Sequence, residues 1–114
     1  MKRLVVARAA RADLRAIDRY TQEQWGVAQK RRYLVAIRER FRALMRRPEL
    51  GPIRDDLRGA YRSLPCGRHV IFYRVEGAAV IVVRVLHERM DMARHLPGIN
   101  TRVVRRNRPP QDSD

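Results

Sequence analysis

The chain has 114 residues, 45% of them apolar, which fits one soluble domain with a modest core. Its 26 lysines and arginines outnumber 12 aspartates and glutamates, for a net charge of +14; such a field attracts nucleic acid or acidic protein segments, although an arginine-rich codon usage produces the same excess. The single Cys66 excludes an internal disulfide and a thiolate metal cluster, and no apolar run reaches the roughly 18 residues of a membrane helix, so a reducing cytoplasm is the expected setting and neither metal nor cofactor is implied.

In chain order, KRLVVA (2–7) is short, β-branched and bounded by charges, and reads as the first strand of a sheet; its apolar run is too short for a secretion signal. From Ala9 to Trp25 the pattern changes. Ala10, Leu14, Ile17, Thr21 and Trp25 recur three and four apart with Arg11, Arg15 and Arg19 between them, which predicts an amphipathic helix. Gly26 suits a left-handed C-cap, and the period restarts with Tyr33, Leu34, Ile37, Phe41, Leu44 and Met45 until Pro48 stops it. So short a link makes the two helices antiparallel. Residues 30–47 carry eight basic residues against the one acid Glu39, a surplus of +7 that is half the chain's +14. At about 100° per residue, Arg31, Arg38, Arg42 and Arg46 fall within an arc of roughly 80° beside the apolar stripe, either a solvated face or a binding face.

Residues 48–59, PELGPIRDDLRG, form a turn-rich connection. The period then becomes two in 60–66, 68–75 and 80–86, separated by Cys66-Gly67 and by residues 76–79, which predicts an antiparallel meander. If Val75 pairs with Val80, then Val70, Phe72, Ile81, Val83, Val85 and His87 share one face, expected to lie under the helices, and Ile71, Tyr73, Val82, Arg84 and Leu86 share the other. In that register Arg84 sits opposite Ile71 and needs a partner or solvent. Residues 1–96 read as one domain ending in a short helix, and 97–114, with Arg102, Arg105, Arg106 and Arg108, as a basic, flexible tail.

Most chemistry is absent from the residue set. His69, His87 and His95 lack metal-site spacing, the glycines are scattered singly, there is no nucleophile elbow, and Cys66 at a turn is an unconvincing nucleophile. Metal-free RNA cleavage stays open, with His87 as acid or base and Arg89, Arg84 and Arg62 as phosphate clamps. The alternative is that His87 packs at a strand end while Arg89 pairs with Asp91 or Glu88.

Four segments, DLRAIDRYTQEQWG (13–26), RRPELGPIRDDL (46–57), RSLPCGRHVIFYRV (62–75) and RVLHERMDMARHL (84–96), together resemble the ParE branch of the ParE/RelE superfamily of type II toxin–antitoxin toxins. The resemblance spans roughly residues 2–96 and implies an α+β fold: an N-terminal strand and an antiparallel helical hairpin packed on an antiparallel meander, with a short C-terminal helix. It implies a cytoplasmic, plasmid-stabilising toxin that inhibits DNA gyrase by binding, without catalysis, and that is neutralised by a ParD-like ribbon-helix-helix antitoxin through which it contacts DNA indirectly. Residues expected to meet partners are Arg31, Arg38, Arg42, Arg62, Tyr73, Arg84, His87 and Arg89. The alternative is the RelE branch, ribosome-dependent mRNA endoribonucleases, for which His87, Arg89 and Arg62 would be catalytic. The chain departs from that branch at Val70, at the lysine-free DDLRGAYR, and in having no tyrosine after Met90.

Overall fold

A computed structural model describes residues 1–90 and 92–96; Asp91 and the tail 97–114, with the expectations placed on them, lie outside the described residues. In order the elements are β1 (Arg3–Val6), α1 (Arg8–Trp25), α2 (Val27–Arg46), a 3-10 turn (Pro48–Leu50), β2 (Arg62–Cys66), β3 (His69–Glu76), β4 (Ala79–His87) and α3 (Met92–His95). The sheet runs β1-β4-β3-β2, with β1 parallel to β4 and the remaining pairs antiparallel. This is the expected α+β arrangement, with β1 added in parallel to the meander. None of the described helices is long and apolar enough to cross a membrane.

Gly26 alone joins the two long helices. Its φ of 88° is open to glycine and strained for other residues; its N–H closes α1 on the Gln22 carbonyl, and its own carbonyl accepts the first α2 bond from Lys30. Lys30 then reaches back to Gln22 and Asp18, as antiparallel helices allow. Ala10 and Ile17 of α1 and Ile37, Phe41 and Leu44 of α2 are buried against the sheet. β2 starts later than the expected Ala60, because Ala60 itself adopts a positive φ of 55° and Tyr61 turns wholly inward.

The assignment of sheet faces differs from expectation. Ile71, Tyr73, Val80, Val82 and Val85 lie beneath the helices; Phe72, Val83 and Leu86 lie on the opposite face, with Tyr61 and Leu96 buried there and Val70, Ile81 and Leu57 packed around them. Two physical causes account for this. The strands are apolar on both faces, so alternation alone carries no information about which face the helices choose. The register also slips by one residue: Val75 pairs with Val80 and Tyr73 with Val82 as expected, yet Phe72 pairs with Arg84 and Ile71 with Val85. The extra β4 residue is a β-bulge, and beyond it Val85 and Leu86 exchange faces. Arg84 therefore stands opposite Phe72 and not Ile71.

At that bulge β4 is fastened to α1. Arg84 donates through Nε and Nη2 to the two carboxylate oxygens of Asp13, at 2.7 and 2.8 Å, and through Nη1 to the His95 carbonyl at 2.8 Å. Asp13 also accepts the Val85 N–H at 2.9 Å. β1 pairs with β4 no further than Val82, so this amide would otherwise lack a strand partner. The fork lifts the Arg84 guanidinium above its ordinary pKa, chiefly through the Asp13 hydrogen bonds, and both side chains are largely enclosed, at 19% and 13% exposure. Asp13→Ala is expected to destabilise the fold by about 3 kcal/mol, the lower end for breaking a buried pair. The paired change Asp13→Leu with Arg84→Met should recover much of that loss in urea unfolding.

Candidate functional site

The β2–β3 turn, Gly67-Arg68, brings His69 across from His87 at the open ends of β3 and β4. Without the bulge His69 would face Leu86. The two imidazoles meet edge to face with centroids 5.3 Å apart, and the Tyr33 ring from α2 meets His69 in the same way at 5.5 Å. Gly67, with φ of 60°, is required here because a Cβ would lie 2.5 Å from the Tyr33 ring. The Tyr33 hydroxyl accepts the Arg68 N–H at 3.0 Å and lies 2.6 Å from His69 Nδ1 and 3.1 Å from the Cys66 carbonyl. Having one proton, it donates to one of the latter two; if to Cys66, His69 Nδ1 donates to it. His87 Nδ1 accepts the Arg89 N–H at 3.1 Å, which places the proton of the neutral ring on Nε2.

These groups share a recess of about 530 Å³ at the joint between α1 and α2 whose lining also includes Tyr20, Trp25 and Gln29 of the helices and Arg68 and Arg89 at the strand ends. Burial, and then the neighbouring His87, push the His69 pKa below the ordinary imidazole value; burial pushes the Tyr33 phenol up. Cys66, read from the sequence at a turn, is buried, and its thiol pKa is raised by desolvation.

The structure scatters the constellation drawn from the sequence. His87 and Arg89 do share the recess. Arg62 pairs across from Tyr73, four residues along β3 from His69 and so about 13 Å away at the usual strand rise, where its Nη1 holds the Gly51 carbonyl at 2.8 Å. Arg84 is committed to Asp13 and His95. Tyr73, expected on a partner-facing surface, is fully buried: its hydroxyl donates to Pro48 at 2.7 Å and accepts the Gly51 N–H at 2.8 Å. Its burial follows from which face the helices cover, since Ile71 and Tyr73 of β3 lie under them. Arg31, Arg38 and Arg42 stand exposed along α2, with Arg42 paired to Glu39.

Two features were missed. A second, smaller groove of about 200 Å³ runs between the helices, floored by Leu14, Leu34, Ile37 and Phe41 and edged by Arg15, Asp18 and Arg38. The groups around His69 were also unforeseen, because their meeting depends on the bulge, which leaves no mark in the alternation. Trp25 carried a usable signal: it ends the α1 stripe directly before Gly26, where a helix runs past the sheet it covers.

The profile of the family described as "ParE toxin of type II toxin-antitoxin system, parDE" matches residues 4–92. Among curated proteins the chain is similar to Toxin ParE1 of Mycobacterium tuberculosis, 41% identical over 95 residues, which is 82% of this chain and 97% of that protein. It is similar also to Toxin ParE1 of Caulobacter vibrioides, 38% identical over 84% of this chain and 99% of the relative. Toxin ParE of Escherichia coli is 37% identical over 84% and 94% respectively. A solved chain described as "Chromosomal ParDE TA system from P. aeruginosa" shares the fold, with a TM-score of 0.67 at 24% identity over 76% of this chain and 96% of that one.

The depressed His69 pKa fixes the sign of a pH effect. Over the range where the unfolded chain protonates this ring the folded chain resists the proton, so its contribution is undiminished above about pH 6.5 and stability falls as pH drops through that value. His69→Gln removes this titration. Urea midpoints measured from about pH 7.5 down to 5 should therefore fall less steeply for His69→Gln than for the unaltered chain.

Proposed function

We propose that this chain, which belongs to the family of ParE toxins of type II toxin–antitoxin systems, arrests growth in the cytoplasm by binding DNA gyrase and is silenced by a ParD-like ribbon-helix-helix antitoxin. The observation that carries the antitoxin half is the groove between α1 and α2. Its floor of Leu14, Leu34, Ile37 and Phe41 is apolar, and the guanidiniums of Arg15 and Arg38 stand at its edge. An amphipathic, acid-rich segment that folds as it binds would cover that floor and neutralise that edge. Arg31 and Arg42 extend the cationic margin along the same helix. In such a complex DNA is contacted through the antitoxin, whose acidic segment offsets the toxin's own charge of +14.

Action by docking is supported by how the arginines are used. Of the three proposed phosphate clamps, Arg62 and Arg84 are tied to backbone carbonyls and to Asp13, and only Arg89 stands beside His87. A catalytic site must hold acid, base and charge stabiliser together within hydrogen-bond reach of one scissile bond.

Purified protein is expected to inhibit gyrase supercoiling at the concentrations that arrest growth; arrest with supercoiling untouched would refute the gyrase reading. The combined change Arg15→Glu with Arg38→Glu should weaken antitoxin capture by about tenfold or more, mainly by slowing association, while leaving growth arrest intact in cells lacking antitoxin. Calorimetry and a plating assay read the two effects separately.

A further inference from the structure

We infer that the recess at the helix joint is a nucleotide-binding site, in which a nucleobase stacks on Trp25 and Tyr20 and its phosphate is held by Arg68 and Arg89. Folding leaves two large aromatic rings of the lining in water: Trp25 is 69% and Tyr20 59% exposed. The same lining supplies cations. Arg54, Arg74 and Arg84 each have a carboxylate partner, but the guanidiniums of Arg68 and Arg89 have no hydrogen bond or ion pair among the described residues, and their backbone amides already anchor Tyr33 and His87. His87 Nδ1 accepts the Arg89 amide, which makes its Nε2 a donor, and the ring belongs to the same lining.

Two aromatic rings and a guanidinium pair lining one recess match a ligand that is planar at one end and anionic at the other. An acidic peptide would satisfy the arginines and leave the indole unused, whereas a nucleotide uses both, because every base has a π-face and every nucleotide a phosphate. The volume, about 530 Å³, falls within the span usual for small-molecule sites. Two acids are near enough for their charge to be felt at His69, Asp13 and Glu88; Asp13 is already paired with Arg84, and the two guanidiniums outnumber Glu88, which is also felt at Tyr33. A free nucleotide and a unit of a single strand share this chemistry.

Trp25 is the chain's only tryptophan, so its fluorescence reports the site directly. The whole chain would be titrated with adenosine monophosphate, with a short 5′-phosphorylated oligoadenylate, with adenosine, with inorganic phosphate and with poly-glutamate. Saturable quenching by the monophosphate identifies a free-nucleotide site, and quenching by the oligomer alone a single-strand site; either supports the inference. Arg68→Ala and Arg89→Ala should each weaken binding by about tenfold or more. By calorimetry Trp25→Phe should retain binding and Trp25→Ala lose it, each variant first shown by circular dichroism to be folded. The inference fails if neither nucleotide ligand quenches saturably, if poly-glutamate competes equally, or if Arg31→Ala and Arg42→Ala on α2 weaken binding as much as Arg68→Ala, which is the mark of diffuse attraction. The readout uses the isolated chain, so a negative supercoiling result leaves it unaffected.

Discussion

The Asp13–Arg84 fork is the constraint from which the rest of the architecture follows. Two charges leave most of their water, a step that costs several kcal/mol per ion unless each lost hydration bond is replaced. Here the replacement is thorough. The guanidinium uses Nε, Nη1 and Nη2, and the carboxylate accepts from both Arg84 nitrogens and from the Val85 amide. One ion pair thereby fixes α1 on β4, holds α3 by the His95 carbonyl, and satisfies the strand where β1 gives out. Because α1 is pinned at Asp13, its far end, with Tyr20 and Trp25, is carried out over the strand ends that bear His69 and His87.

Much of this was legible in the residues, and the exceptions have identifiable causes. The helices announced themselves through a spacing of three and four, the joint through Gly26, and the meander through alternation with its turn at residues 76–79. Even the pairing of Val75 with Val80 could be read. What could not be read was a single extra residue in β4, since Val82-Val83-Arg84-Val85 looks the same with or without a bulge. That residue decides whether Arg84 meets Ile71 or Phe72 and whether the two imidazoles meet; Tyr73 pairs as expected and is a core group because the helices cover its face, a choice that alternation between two apolar faces leaves open. Pairing geometry of this kind is settled by long-range partners, here Asp13 accepting the Val85 amide, and not by local propensity.

The distribution of charge also gains a meaning that composition withheld. An excess of +14 says nothing about where the cations act. Arg40 holds the Pro65 carbonyl, Arg62 the Gly51 carbonyl, and Arg54 and Arg74 lie over the Phe72 and Tyr61 rings, so a good share of the arginine is structural. The remainder includes Arg15 and Arg19 of α1, Arg31 and Arg38 of α2, and Arg68 and Arg89 at the recess.

The joint at Gly26 has a geometrical corollary. Trp25 and Gln29 stand on either side of it, the last residue of one helix and the first turn of the next, and both line the recess. The placement of those two lining residues relative to each other is thus set through the φ and ψ of one amino acid, at 88° and 171°. With no loop between the helices, a change at that residue would shift Trp25 against Gln29.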